Sequence, residues 1–251
     1  MPFSELRRRP AGESLRLELE KLDEQIDGWL VSLTVTPILL AVGLTFQSIQ
    51  TLPTVILFFL TAAITTAIAA RKLQPILEKR RDYLLGYQGE RYVAEELNLL
   101  MAEGFHVFHD VPFENYNIDH VLVGPSGAFA VETKTRRKRT ADGKENYKVL
   151  FDGTRLNFPS GWDTKALDQA RLNAKTLSQW LGSATADLIT AKAILTIPGW
   201  FVERSARSDV YVTSPKQIRS YILNLNENPL TPAEIQRAHH QLEQRCKVSL
   251  D

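Results

Sequence analysis

The chain has 251 residues, 44% hydrophobic and 24% charged, with 30 Lys and Arg against 29 Asp and Glu. A net charge of +1 excludes a uniformly basic protein, so any hold on nucleic acid must come from local clusters of cations. The single cysteine, Cys246, excludes an intrachain disulfide framework and a cysteine-based zinc cluster, and suits a reducing compartment.

In chain order, the leader first places Leu15, Leu19, Leu22 and Ile26 at helical spacing. From 28 to 70 there is no Asp, Glu, Lys or Arg. A polar break at 47–53 divides this stretch into spans at about 30–49 and 52–70. Each is close to the ~20 residues that cross a ~30 Å hydrocarbon core as a helix. The expectation is a transmembrane helical hairpin, because a soluble helix pair would show a polar outer face. A cleaved secretory signal is set aside despite Ala67, Ile68 and Ala69, since such cores run only ~7–15 residues and begin near the N-terminus. Arg7, Arg8, Arg9, Arg16 and Lys21 precede the spans; Arg71, Lys72, Lys79, Arg80 and Arg81 follow them. The positive-inside rule then puts both ends in the cytoplasm of a multi-pass cell-membrane protein.

Gly86 is the expected domain boundary, dividing a leader and hairpin at 1–85 from a soluble domain at 86–251. A helix is predicted from Gly89 to about Glu103, ended by Gly104. Strands follow in FHVFHDV, in the two arms of 117–134 and in YKVLFDG. A helix near 163–181, strands in AKAILTIPG and DVYVTS, and helices at 216–224 and 232–246 complete the pattern. This order reads as an α/β domain with a mixed central sheet flanked by helices.

Residues 117–134, NIDHVLVGPSGAFAVETK, hold the candidate site. A turn centred on Pro125 and Ser126 sets opposite each other residues whose numbers sum to 251, and so Asp119 against Glu132. Alternation puts Lys134 on the same face. Two facing carboxylates call for positive charge between them, either a hard cation such as Mg²⁺ or Lys134 itself. Glu90 falls in line with Val93, Leu97 and Leu100 on an apolar helix stripe, as a third oxygen donor or a first-turn charge favoured by the helix dipole. His106, His109 and His120 are read as packed residues rather than ligands, and Trp162, Trp180 and Trp200 as packing rather than base-stacking residues. Arg136, Arg137, Lys138 and Arg139 form a basic run beside the site, suited to phosphate contacts or to plain solvation.

Taken together, GERYVAEEL, IDHVLVGPSGAFAVETK and DQARLNA resemble the nuclease-related domain (NERD) family of the PD-(D/E)xK nuclease superfamily, over about 86–218. The resemblance implies a restriction-endonuclease-like fold. It also implies metal binding (Mg²⁺ or Mn²⁺) by Asp119 and Glu132 with Glu90, a Lys134 that assists the attacking water, and a supporting polar role for Gln169. Two departures stand out: Ile118 replaces the superfamily's proline, and the basic TRRKR follows Lys134. The function expected is a membrane-anchored nuclease acting on nucleic acid, DNA foremost. The alternative is a catalytically silent domain of the same fold that binds nucleic acid or a protein partner at the membrane.

Overall fold

The computed structural model describes residues 9–46, 52–138, 140–141, 144–145, 147–225, 227 and 229–247. Arg7, Arg8, Arg139 and most of the polar break at 47–53 lie outside the described residues. The chain divides into two compact units, one of Leu15–Leu84 and one running from Leu85 onward that also takes in residues up to Ser14.

The first unit is built from two long helices, α1 (Glu13–Phe46) and most of α2 (Leu52–Asn98). Both are long and apolar enough to cross a membrane. None of the apolar window of α1 and only 6% of that of α2 is buried within the protein, so these are not core helices. Thr34, Thr45, Thr61 and Thr65 turn their hydroxyls back onto helix carbonyls, which removes unpaired donors from an apolar surface. Arg80 pairs with Asp23 outside the apolar stretches.

No helix end marks Gly86, although the division between the two units falls beside it, between Leu84 and Leu85. Helix α2 runs through Gly86 and Gly89 to Asn98 and tightens into a 3₁₀ turn at Leu99–Glu103. Gly104, at φ 83°, ends it in the left-handed conformation that glycine adopts without penalty. A helical glycine is tolerated where packing needs it. A Cβ on Gly89 would lie 2.1 Å from the Thr135 methyl, so only glycine lets the chain leaving the central sheet cross the helix there.

The second unit holds a five-stranded mixed sheet. Its strands are β1 (His106–Pro112), β2 (Asn117–Gly124), β3 (Gly127–Thr133), β9 (Ala191–Thr196) and β11 (Val210–Thr213), in that spatial order. The first three are antiparallel neighbours, whereas β9 and β11 run parallel to β3. A second sheet, absent from the sequence expectation, contains β6 (Lys148–Phe151), β7 (Leu156–Phe158), β8 (Gly161–Asp163) and β10 (Phe201–Arg204) in the order β10, β6, β7, β8. A two-residue hairpin of β4 (Thr140–Ala141) and β5 (Lys144–Glu145) lies in the basic loop.

The helices α3 (Lys165–Thr185), α4 (Pro215–Leu223) and α5 (Pro232–Cys246) complete the unit. One face of the central sheet packs Phe129 and Val131 against Val93, Leu97 and Leu100, with Ile218 and Ile222 of α4. The other packs Val121, Val123 and Ala130 against α3, α5 and the inner face of the second sheet. At the closed end of the β2–β3 hairpin, a Cβ on Gly124 would lie 2.3–2.7 Å from ring atoms of buried Phe105. Gly124→Ala is therefore expected to destabilise the protein by about 1–3 kcal/mol, the usual cost of overpacking a fixed core. A urea melt checks this, and an unchanged midpoint would show that the ring moves freely.

Candidate active site

The β2–β3 ladder runs His120 opposite Val131, Val121 opposite Ala130, and so on to Gly124 opposite Gly127. Every pair sums to 251, the register read from the turn. One step beyond its open end stand Asp119 and Glu132. The ladder stops there because the Asp119 carboxylate folds toward β3 and accepts the Thr133 backbone N–H at 2.7 Å. Glu132 accepts Asn173 Nδ2–H at 2.7 Å, and Gln169 Nε2–H donates to Asn173 Oδ1 at 2.9 Å. Gln169 therefore reaches the carboxylates through buried Asn173, a residue that the sequence reading missed although it lies within the quoted DQARLNA.

Glu90 comes from the helix on the other side of the sheet, next to Gly89, which abuts Thr135 past the end of β3, and lies near enough for its charge to act on Glu132 and that of Asp119 to act on it. The pKa values of all three acids are raised, chiefly by burial. Burial and the charges of Asp119 and Asp110 push Glu90 up to about 9. Burial, opposed by the Thr133 hydrogen bond, brings Asp119 up to about 7. Burial, then Asp119 and Glu90, hold Glu132 well above its ordinary value, with Lys134 and Asn173 pulling the other way. Lys134 leaves β3 with its N–H bonded to the Thr196 carbonyl at 2.9 Å.

This donor set is all carboxylate oxygen with an excess of negative charge, which fits a hard cation such as Mg²⁺ or Mn²⁺. The acids are not a finished cage: among the described residues no three His, Cys, Asp or Glu side chains are gathered so as to hold a metal ion as they stand.

A fourth acid was not foreseen. Asp110 sits opposite Asp119 by the β1–β2 register, at a gap where the ladder passes from His109–His120 to Val111–Ile118. Its backbone is left-handed, φ 48°, a conformation aspartate tolerates better than most residues. The carboxylate is held by Arg9 Nε–H at 2.9 Å, Ser14 Oγ–H at 2.6 Å, Ser14 N–H at 3.2 Å and Asn117 Nδ2–H at 2.9 Å.

Behind the site, on the opposite face from Asp119, His109 and His120 are packed as expected but also bonded to each other. Asn98 Oδ1 accepts from His109 Nε2 at 3.1 Å, which leaves His109 Nδ1 to accept from His120 Nδ1–H at 2.9 Å. His120 Nε2 then accepts the Thr133 hydroxyl proton at 3.2 Å. Burial lowers His109 to about 4 and His120 well below its usual value, so both are neutral. His106 stacks on His239 at 3.9 Å between ring centroids, away from this relay.

In the basic run, Arg136 lies over the Phe158 ring at 4.4 Å and its carbonyl accepts Trp200 Nε1–H at 3.1 Å. Arg137 and Lys138 are exposed. Trp200 is buried and Trp180 packs edge-on against Phe113, whereas Trp162 is exposed.

Residues 85–198 match the family model described as nuclease-related domain (NERD). Comparison with curated proteins and with solved structures gave no match.

Proposed function

Because residues 85–198 are a nuclease-related domain, we propose that the protein is a metal-dependent nuclease, hydrolysing phosphodiester bonds of nucleic acid, DNA foremost, on a restriction-endonuclease-like fold held at a membrane. The observation that carries this reading is the meeting of Asp119, Glu132 and Glu90 at the strand end that leads into Lys134, with each acid's pKa raised. Perturbed acids grouped around a lysine are what hydrolytic sites need and what a passive binding domain has no use for.

Asp119 and Glu132 would hold a Mg²⁺ or Mn²⁺ ion, joined by Glu90 directly or through water. Bound there, the ion supplies charge neutralisation at the scissile phosphate and a lowered pKa for a bound water. Lys134 orients the nucleophile or faces the charge that develops on the phosphate. Asn173 fixes the Glu132 carboxyl and Gln169 fixes Asn173, which makes Gln169 a positioning residue. Arg136, Arg137, Lys138 and Arg139 contact the phosphate backbone without reading sequence.

The test uses the full chain in detergent with linear DNA, circular DNA and RNA. Cleavage with Mg²⁺ or Mn²⁺, none with chelator, and none by Glu132→Gln is the expected result. If no nucleic acid is cut under any condition, the silent binding domain takes its place. The two apolar helices would anchor the chain with its N-terminus and nuclease domain cytoplasmic. A cysteine introduced at 47–53 should then react only with reagent added outside, against a low background because Cys246 is buried. Reaction from the cytoplasmic side, or recovery of the wild type as a soluble monomer, would refute the anchor.

A further inference from the structure

The second sheet turns one face to the core and one to solvent. Val149, Phe151, Leu156 and Phe158 point inward and are buried. Register places Leu150 opposite Asn157 and Asn157 opposite Trp162, so these share the outer face. On that face Trp162 is 66% exposed, Leu150 41%, and Phe201, which pairs with Lys148, 52%. Lys148 Nζ lies 6.0 Å from the centre of the Phe201 ring.

The end of this face that carries Trp162 is cationic. A cavity of about 480 Å³ is lined by Lys134, Arg136, Trp162, Asp163, Thr164 and Lys165, three cations against one carboxylate. Arg136 is set in place by the Phe158 ring, by Asp163 Oδ2 at 3.9 Å and by the Trp200 indole on its carbonyl. Asp163 is partly committed elsewhere, since its Oδ1 accepts the Ala166 N–H at 3.3 Å at the start of α3. Lys134 belongs both to this cavity and to the surroundings of Asp119 and Glu132.

We propose that the cavity and the outer sheet face bind an unpaired strand of nucleic acid, with a base stacked on Trp162 and its phosphates on Arg136 and Lys165. The inference rests on the nuclease reading and narrows its substrate to single strands or frayed ends. In a duplex the flat faces of the bases are stacked on one another; only an unpaired base can offer its face to an indole on an open sheet. The cations beside the ring select a polyanion over an apolar protein segment, and the stacking surface is indifferent to sequence.

The test measures binding of labelled 20-mers of deoxythymidine and of uridine, and of a blunt DNA duplex, to the full chain in detergent with chelator present. Either single strand should bind more tightly than the duplex, and the sugar preferred identifies the natural strand. Trp162→Ala should weaken single-strand binding by about 5- to 150-fold, the range for loss of one stacked base. Trp162→Phe should recover most of that loss, and duplex binding should change little in either variant. Arg136→Ala should instead lower the salt dependence by about one counterion. Unchanged single-strand affinity in Trp162→Ala, tighter binding of duplex, or no binding of any oligonucleotide overturns the proposal. Added Mg²⁺ separates the two readings. Trp162-dependent binding without cleavage leaves the platform standing and removes the nuclease; cleavage with binding indifferent to Trp162 does the reverse.

Discussion

Lys134→Ala is expected to lower the single-turnover rate of phosphodiester cleavage by about 10²–10³-fold, the usual cost of removing one group aimed at developing charge. The reason lies in its position. Lys134 follows Thr133, whose backbone N–H fixes Asp119, and its own N–H is pinned to the Thr196 carbonyl. The backbone N–H groups of Thr133 and Lys134 are therefore both held, which leaves the lysine side chain to meet substrate. Truncation at this site should spare the fold, because the backbone bonds remain. Since Lys134 also lines the cavity beside Trp162, binding should weaken modestly, and rates must be compared at saturating nucleic acid. A variant that cuts at the wild-type rate once saturated would leave Lys134 as a binding residue alone.

The second large effect is on stability in chelator. Glu90 at about 9, Asp119 at about 7 and Glu132 well above its usual value all hold protons in the fold that the unfolded chain has released by neutral pH. Where the native state binds more protons, stability falls as pH rises, by about 1.4 kcal/mol per pH unit for each whole proton of difference. The histidines act with the opposite sign, up to about one pH unit above their unfolded value near 6.5: His109, lowered to about 4, stays neutral in the fold while the unfolded chain takes up a proton. Between about pH 7.5 and 9 the carboxyls act almost without that opposition.

Urea melts of the metal-free chain should thus show stability decreasing across that window. Glu132→Gln should flatten the slope and, near pH 9, match or exceed wild type, because a neutral amide replaces a carboxyl that resists ionisation. Asp119→Asn should behave in the same sense, since an amide oxygen can still accept the Thr133 N–H. Excess Mg²⁺ should raise wild-type stability by mass action and leave Glu132→Gln unmoved. Stability that rises with pH over this range would mean that the acids are ionised and compensated in the fold.

Asp119, Glu132 and Lys134 were legible because a period of two and a short turn leave one register, and a slip by one residue would bury the wrong face. The stripe carrying Glu90 was legible for a similar reason, with Val93, Leu97 and Leu100 all buried beneath it. What stayed hidden has a physical cause in each case. Of the second sheet only β6 was legible, in YKVLFDG; β7, β8 and β10 are three or four residues long, too short for alternation to declare itself, and Trp162 looks like any core tryptophan until β8 is seen to face outward. Helix α2 passes through Gly89 because its packing against Thr135 outweighs the low helix propensity of glycine. Asp110 could not be assigned from its neighbours, since Arg9 and Ser14 lie 101 and 96 residues away in the chain.

That last arrangement bears on how the protein can be taken apart. The Asp110 side chain is only 4% exposed, and its one ion-pair partner among the described residues is Arg9, within 2.7 Å. A deletion that starts the chain at Leu85, the obvious route to a soluble fragment, would remove Arg9 and Ser14 and strand a buried negative charge beside Asp119. Breaking a buried pair from one side typically costs about 3–5 kcal/mol. A fragment without activity would therefore say little about the intact protein, whereas grafting residues 9–14 back onto the fragment, or replacing Asp110 by asparagine within it, would restore the balance of charge that the leader supplies.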